Sequence, residues 1–463
     1  MPYISNTDED RHLMLDALGY ERIEELFGAV PESVRYPKLS IPEGMTELEV
    51  VQEMRRIADT NESGGGTLSF LGGGAYEHFI PAVVPFLASR GEFATTYTPY
   101  QAEASQGTLQ SIFEYQSMLT NLYGIDVVNA SHYDGSTAFA ESALMALNCV
   151  RNRSRILLAP GVHPEYMEVL RTYTAALDVT IDVLDDASWR SDPYTTLSGA
   201  MTDETAVFMV QTPDFFGRLS DLRDLASVVH EAGALFAVHA DPVSLAIYRS
   251  PGEFGADIIT GDGQPLGIPV SFGGPSLGIF GCREKLVRKM PGRLVGQTSD
   301  GGGRRGYVLT LNTREQHIRR AKATSNICTN QGLMALRSAI YLAALGPNGL
   351  QEVATLCHNK SHYAAELICA IDGIESYDTS PFFREFAVRL PIPAREAVDA
   401  LRDRDILPGV DLGRYDEELS NVLLISVTET KSKADIDRLA FELAAILKSA
   451  EPKGAGLAAG GAI

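Results

Sequence analysis

The chain is 463 residues long and 45% hydrophobic, and it carries 60 acidic against 39 basic side chains, a formal charge of -21. That length suits two or three globular domains with a substantial core. The charge argues against a nucleic-acid or anionic-membrane surface, which would repel it at low and moderate salt, and the lack of any run of about 18 uninterrupted apolar residues argues against membrane insertion.

The N-terminal segment MPYISNTDEDRH has no basic region followed by an apolar run, so no secretion signal is expected. DEDRHLMLDALG and MTELEVVQEMRRIADT place apolar residues at three-and-four spacing behind acidic or Thr starts, which predicts a helical arm over residues 1–65. A long amphipathic pattern, QAEASQGTLQSIFEYQSMLTNLYG, ends at Gly124. Short apolar strands follow at Asp126–Ala130, Arg155–Ala159, Val179–Leu184, Ala206–Gln211, Leu235–His239 and Ala256–Thr260, with helical segments such as Glu141–Val150 and Leu222–Ala232 between them. Strand and helix alternating at this spacing predict crossover units on a mostly parallel sheet, a large α/β domain over residues 66–345. After Gly301–Gly303, helices are expected to about residue 370, then a strand, helix, strand, helix series in a smaller α/β domain over 346–448. The tail from 449 to 463, ending GAGLAAGGAI, has no core-forming content and is expected to be disordered.

Three segments suggest a site. In SHYDGSTA, a strand runs into Gly135, Ser136 and Thr137 at the start of a helix, where backbone N-H groups favour an anion or where a plain N-cap sits. In FAVHADPVSL, Asp241 lies at the carboxyl end of a buried strand, the place where open α/β sheets put functional groups; a turn before Pro242 is the alternative. A phosphate contact and a carboxylate able to pair with a protonated pyridine nitrogen are what pyridoxal phosphate requires, together with a lysine for its imine. No lysine stands between Lys38 and Lys285, and after the strand ending at Thr260 the sequence reads Gly261-Asp262-Gly263-Gln264. Gln264 occupies the expected lysine position, and an amide cannot form an imine.

Other signals point elsewhere or remain open. Cys149, Cys282, Cys328, Cys357 and Cys369 are odd in number and widely spaced, which fits a reducing cytoplasm and neither a disulfide framework nor a zinc cluster. His358 and His362 share a helical face without a third ligand nearby, so no metal is expected. Gly261, Gly263 and Gly267 miss the dinucleotide fingerprint by one residue. Arg304, Arg305, Arg319 and Arg320 suit carboxylate or phosphate contacts, or simply a solvated helix. The nine lysines against thirty arginines fit either genomic composition or a salt-adapted acidic surface.

FLGGGAYEHFIP, TPYQAEASQG, NASHYDGSTA and REQHIRRAKATSNICTNQ together resemble the glycine decarboxylase P protein of the glycine cleavage system, in the alpha subunit form of bacteria that divide the enzyme between two chains. The likeness runs from about residue 1 to 448. It implies the aspartate-aminotransferase-like fold of pyridoxal-phosphate transferases (fold type I), with a non-catalytic pocket: Gly135, Ser136, Thr137 and Asp241 vestigial, and Gly263-Gln264 standing where the beta chain has His-Lys. It further implies that pyridoxal phosphate sits on the beta partner and none is covalently held here. The partner's cofactor decarboxylates glycine, and the aminomethyl group passes to the lipoyl group of H protein, whose disulfide is reduced. The isolated chain is expected to be inactive and the assembly to be alpha2beta2. Tyr97, Thr98, Pro99, Tyr100, Gln101, Glu103, Arg304 and Arg305 are the expected contributions to a shared site or interface. The competing readings are a regulatory or scaffold protein derived from such an enzyme, and a cofactor held through a displaced amine, Lys322 being the nearest.

Overall fold

The computed structural model describes residues 5–61, 67–94 and 96–450, so the tail expected to be disordered lies almost entirely outside the described residues. Two compact units form, Met1–Ser63 and Gly64–Ile463. In the first, helices α1 (Asp8–Leu18) and α2 (Glu47–Ala58) are opened by Thr7 and Thr46, each closing a capping box with an acidic residue three positions on. Most of this unit's large apolar side chains are exposed; Leu48 is 67% exposed.

The second unit begins its layered part with α3 (Gln106–Tyr123), ended by left-handed Gly124. Seven strands follow: β1 (Val127–Val128), β2 (Arg155–Leu158), β3 (Thr180–Val183), β4 (Thr205–Thr212), β5 (Leu235–Ala240), β6 (Ile258–Asp262) and β7 (Gly278–Cys282). Their order in the sheet is β1-β7-β6-β5-β4-β2-β3. The five strands from β6 to β3 run parallel, and β7 is antiparallel to β6. Alternate residues of β4 and β5 enter different cores: Phe208, Val210, Phe236 and Val238 on one face, Val207, Met209, Leu235 and Ala237 on the other. A sheet covered on both faces explains why these strands read as continuous apolar runs. Helices α4 (Gly135–Cys149) and α5 (Pro164–Thr174) follow β1 and β2.

The stretch after residue 290 corrects the sequence reading. Gly301–Gly303 lie in the connection of a hairpin between β8 (Leu294–Ser299) and β9 (Arg305–Thr310), so the expected helices begin later. The long α6 (Gly332–Cys369) bends at Gly346, whose φ of 61° and ψ of -177° precede Pro347. Beyond it, β10 (Glu375–Ser376), β11 (Glu385–Arg389), β12 (Val410–Asp411) and β13 (Val422–Ser426) form an antiparallel sheet in the order β10-β11-β13-β12. Helix α7 (Lys433–Ala450) packs Leu439 and Leu443 into its core, and Ala364 and Ile368 of α6 join them. Phe70 lies in this same core, and Leu68 and Ser69 pair with Ile406 and Leu407. The start of the expected large domain therefore belongs to the smaller layer.

Between the layers runs a strap, Gly72–His78, whose glycines have separate reasons. A Cβ on Gly72 would lie 2.0 Å from Oε1 of Glu385 and 2.6 Å from Cβ of Ser426, while Gly73 and Gly74 have φ of 70° and 104°. We expect Gly72→Ala to lower stability by about 1–3 kcal/mol through overpacking, measured by urea unfolding; an unchanged midpoint would show that the strap yields.

Candidate functional site

At the carboxyl ends of β4, β5 and β6, the strap and the Phe383–Glu385 segment close over a cavity of about 40 Å³, room for only a few waters. Of the sequence-predicted residues, Asp241 lines this cavity; Gly135 and Gln264 reach its wall through Asp262 and Tyr76, while Thr137 lines a separate cavity of about 550 Å³ with His132, Tyr133 and Glu141, and Ser136 lies beside it at the start of α4. Each is already engaged by the chain itself.

At the start of α4, Asp134 is the N-cap: its Oδ1 accepts from the Thr137 N-H at 2.8 Å and from Ser136 Oγ at 2.7 Å. The Gly135 N-H donates to Oδ2 of Asp262 at 2.8 Å, whose Oδ1 accepts from the Gln264 N-H at 2.9 Å and from Ser276 Oγ at 2.5 Å. The anion that a helix N-terminus favours is thus the chain's own carboxylate. Burial raises the Asp262 pKa to about 6, against the pull of its hydrogen bonds from Ser276, Gln264 and Gly135. Beside it the Tyr166 ring stacks on His163 at 4.9 Å and meets His239 edge-on at 5.2 Å. A Cβ on Gly135 would lie 2.6 Å from the Tyr166 hydroxyl.

Asp241 is likewise occupied. Its Oδ1 accepts from the N-H groups of Val243 and Ser244 at 2.9 Å each, and its Oδ2 pairs with the Arg384 guanidinium, which lies 3.5 Å above the Tyr76 ring. Gln264, 6% exposed, accepts from the Tyr76 N-H at 2.8 Å and donates to the carbonyls of Tyr76 at 2.9 Å and Ile268 at 2.8 Å. Tyr76 then donates its phenol to Oε2 of Glu385 at 2.5 Å, and Oε1 of Glu385 accepts from the Gly73 N-H at 2.7 Å. Burial raises the Glu385 pKa to about 7 despite these bonds.

Asp262, Tyr166, Arg384 and Glu385 are among the pocket residues that sequence reading missed, with His163, Gln211, Asp214 and His239. Only Asp262 carried a local signal, two residues before Gln264. These side chains already take the contacts that pyridoxal phosphate would use around Asp241 and Gly135: the helix N-terminus faces the Asp262 carboxylate, and Asp241 pairs with Arg384. Lys322 is exposed and does not line the cavity.

His78, Cys357 and Glu429 bring ligand-type atoms within 4.8 Å of one another. Their hydrogen bonds argue against a cation. Arg384 donates to Nε2 of His78 at 2.7 Å, which puts the imidazole proton on Nδ1, and Nδ1 donates it to Glu429 at 2.6 Å.

A second, open cleft of about 850 Å³ is lined by Tyr97, Thr98, Tyr100 and Gln101 together with Arg293, Cys328 and Thr329. Pro99 and Glu103 belong to the same loop. Buried Arg293 ties the cleft together, donating to the Cys328 carbonyl at 2.6 Å, Oδ1 of Asn330 at 3.2 Å and the Tyr100 hydroxyl at 3.3 Å. Two of the family-like strings, distant in sequence, therefore form one surface, with Tyr97 88% exposed at its edge. Arg304 and Arg305 line neither cavity; Arg304 pairs with Asp300 near the hairpin connection. Arg319 and Arg320 are exposed.

A family model described as glycine cleavage system P-protein matches residues 1–443. The chain belongs to the P-protein family. It is 48% identical over 440 residues to a protein of Thermomicrobium roseum, covering 95% of this chain and 98% of that one, and 49% identical over 447 residues to one of Chlorobium phaeobacteroides, covering 96% and 100%. Both relatives bear the name probable glycine dehydrogenase (decarboxylating) subunit 1. A crystal structure of the glycine decarboxylase P-protein in inhibitor-bound form superposes with a TM-score of 0.85 at 42% identity, covering 96% of this chain and all of that one. A sphingosine-1-phosphate lyase of Burkholderia pseudomallei, at 16% identity and a TM-score of 0.63 over 90% of this chain and 94% of its own, shares the fold alone. The P-protein chain thus has the fold of the type I pyridoxal-phosphate enzymes, as the resemblance implied. No helix among its described residues is long and apolar enough to cross a membrane.

Proposed function

We propose that this chain is the cofactor-free subunit of a two-chain glycine decarboxylase, completing a site whose pyridoxal phosphate is held by a lysine of subunit 2. In this reading the partner's cofactor supplies the electron sink for loss of the glycine carboxylate as CO2, and the aminomethyl group passes to the lipoyl group of H protein. The observation that carries the proposal is Gln264, fixed by three side-chain hydrogen bonds where the imine lysine belongs, with Asp262 on the N-terminus of α4. The exposed apolar side chains of residues 5–61, among them Leu18, Leu48 and Met54, support a chain that assembles with another. The Tyr97–Gln101 loop is its offering to the partner's site, held by Arg293; Arg304 and Arg305 are assigned to the interface rather than to the substrate. An alpha2beta2 assembly in the cytoplasm completes the proposal, the latter supported by five free cysteines.

Borohydride reduction of the reconstituted two-chain enzyme, followed by peptide mapping, tests it. The pyridoxyl label is expected on a lysine of the partner and on none of this chain; label on Lys322 or another lysine here overturns the assignment. Glycine-bicarbonate exchange by the partner is expected to collapse when this chain is omitted. Undiminished exchange favours a scaffold instead.

A further inference from the structure

The filled pocket joins segments far apart in sequence. Two chains of contacts cross it. One alternates acid and base: Glu429, beyond β13, accepts from Nδ1 of His78 in the strap; Nε2 of His78 accepts from Arg384, which precedes β11; and Arg384 pairs with Asp241, beyond β5. The other starts from Gln264, beyond β6, takes both the N-H and the carbonyl of Tyr76, and continues through the Tyr76 phenol to Glu385 of β11, which returns to the Gly73 N-H. Asp241 and Gln264 belong to the seven-stranded layer, whereas Arg384, Glu385 and Glu429 belong to the four-stranded one. The strap contributes to both chains of contacts.

We propose that these residues form a clasp that fastens the four-stranded layer and the strap onto the seven-stranded layer, making this subunit a rigid half whose layers do not part. A buried polar network in which each member is satisfied specifies one arrangement, because sliding the layers would strand several buried polar groups at once. The geometry leaves no slack: Gly72 admits no Cβ against Glu385, and a Cβ on Gly217 would fall 2.0 Å from the Glu385 carbonyl. Binding pockets at the ends of such a sheet require access, and here the aromatic and charged side chains that would meet a ligand are spent on one another. The clasp stands or falls independently of where the cofactor resides.

Hydrogen-deuterium exchange of the full chain, alone and assembled with subunit 2, tests it. In the parent, peptides covering 70–79 and 382–387 are expected to exchange within tenfold of the Leu235–Ala240 strand. Tyr76→Phe and Gln264→Met each cut one link without adding bulk, and each is expected to speed the 70–79 peptide at least tenfold while leaving the Leu235–Ala240 peptide at its parent rate. A strap that already exchanges a hundredfold faster than the strand in the parent, or one that ignores both substitutions, overturns the clasp. Should a variant lose protection throughout, the parent strap-to-strand ratio alone decides.

Discussion

Restoring the lysine is expected to fail. Gln264→Lys, purified without a partner and mixed with pyridoxal phosphate, should give no borohydride-trapped adduct at position 264 and no glycine turnover, and it should melt several degrees below the parent. The amide of Gln264 both donates and accepts, whereas an ammonium only donates. The Tyr76 N-H would lose its acceptor, and a cation would be buried at a position only 6% exposed. An unsatisfied buried amide costs about 1–3 kcal/mol and a poorly paired buried charge adds to it. Nor would the new amine meet a cofactor, because Asp262 still holds the Gly135 N-H and Tyr166 still packs beneath His163. Absorbance, peptide mapping and calorimetry on the one variant check each part; an adduct trapped at position 264 would show that the pocket opens more readily than its hydrogen bonds indicate.

The pocket shows where sequence reading reaches and where it stops. Buried parallel strands, the helix opened by Asp134, and the position of Gln264 were legible because each rests on local periodicity or on a turn next to a strand. Asp262 at the start of α4 was not, since donor and acceptor lie 127 residues apart and meet only once the crossovers are folded. The same holds for Tyr76 and Glu385, 309 residues apart. In the sequence, Asp262 reads as one acidic residue among sixty. The hairpin of β8 and β9 was misjudged for a different reason: the glycine run at 301–303 was taken as a boundary before helices, although YVLTL carries the aromatic and β-branched residues that favour a strand. The two loops of the second cleft were recognised as unusual strings; Arg293, an arginine buried behind Gly292, and the edge-on contact of Tyr100 with His317 join them.

Stability should fall as pH rises toward neutrality, and Glu385→Gln should remove much of that fall. Burial lifts the Glu385 carboxyl from 4.5 to about 7, so between those values the folded chain holds a proton that the unfolded chain has released. A group raised in this way stabilises the fold at low pH, and the contribution is lost as pH climbs through the folded value. The full shift corresponds to roughly 3 kcal/mol. Glu141, also lifted to about 7 by burial, acts in the same sense, as do Asp214 and Asp262 at about 6. His132 and His239, held neutral by burial with values near 3, oppose them below about pH 6.5, where the unfolded imidazoles take up protons that the folded ones refuse. The Glu385 contribution is therefore lost mainly between pH 4.5 and 7, with a smaller remainder up to about pH 8, and comparison with a variant at 385 separates it from the opposing histidines, which both proteins share. A glutamine at 385 keeps the geometry: its carbonyl oxygen can accept from the Gly73 N-H while its amide donates to the Tyr76 oxygen, which turns from donor to acceptor. The urea midpoint of the parent is expected to fall relative to that of Glu385→Gln as pH rises from 4.5 to 7, with the gap levelling off above about pH 8. Parallel midpoint curves for parent and variant would mean that Glu385 ionises as freely in the folded chain as in the unfolded one.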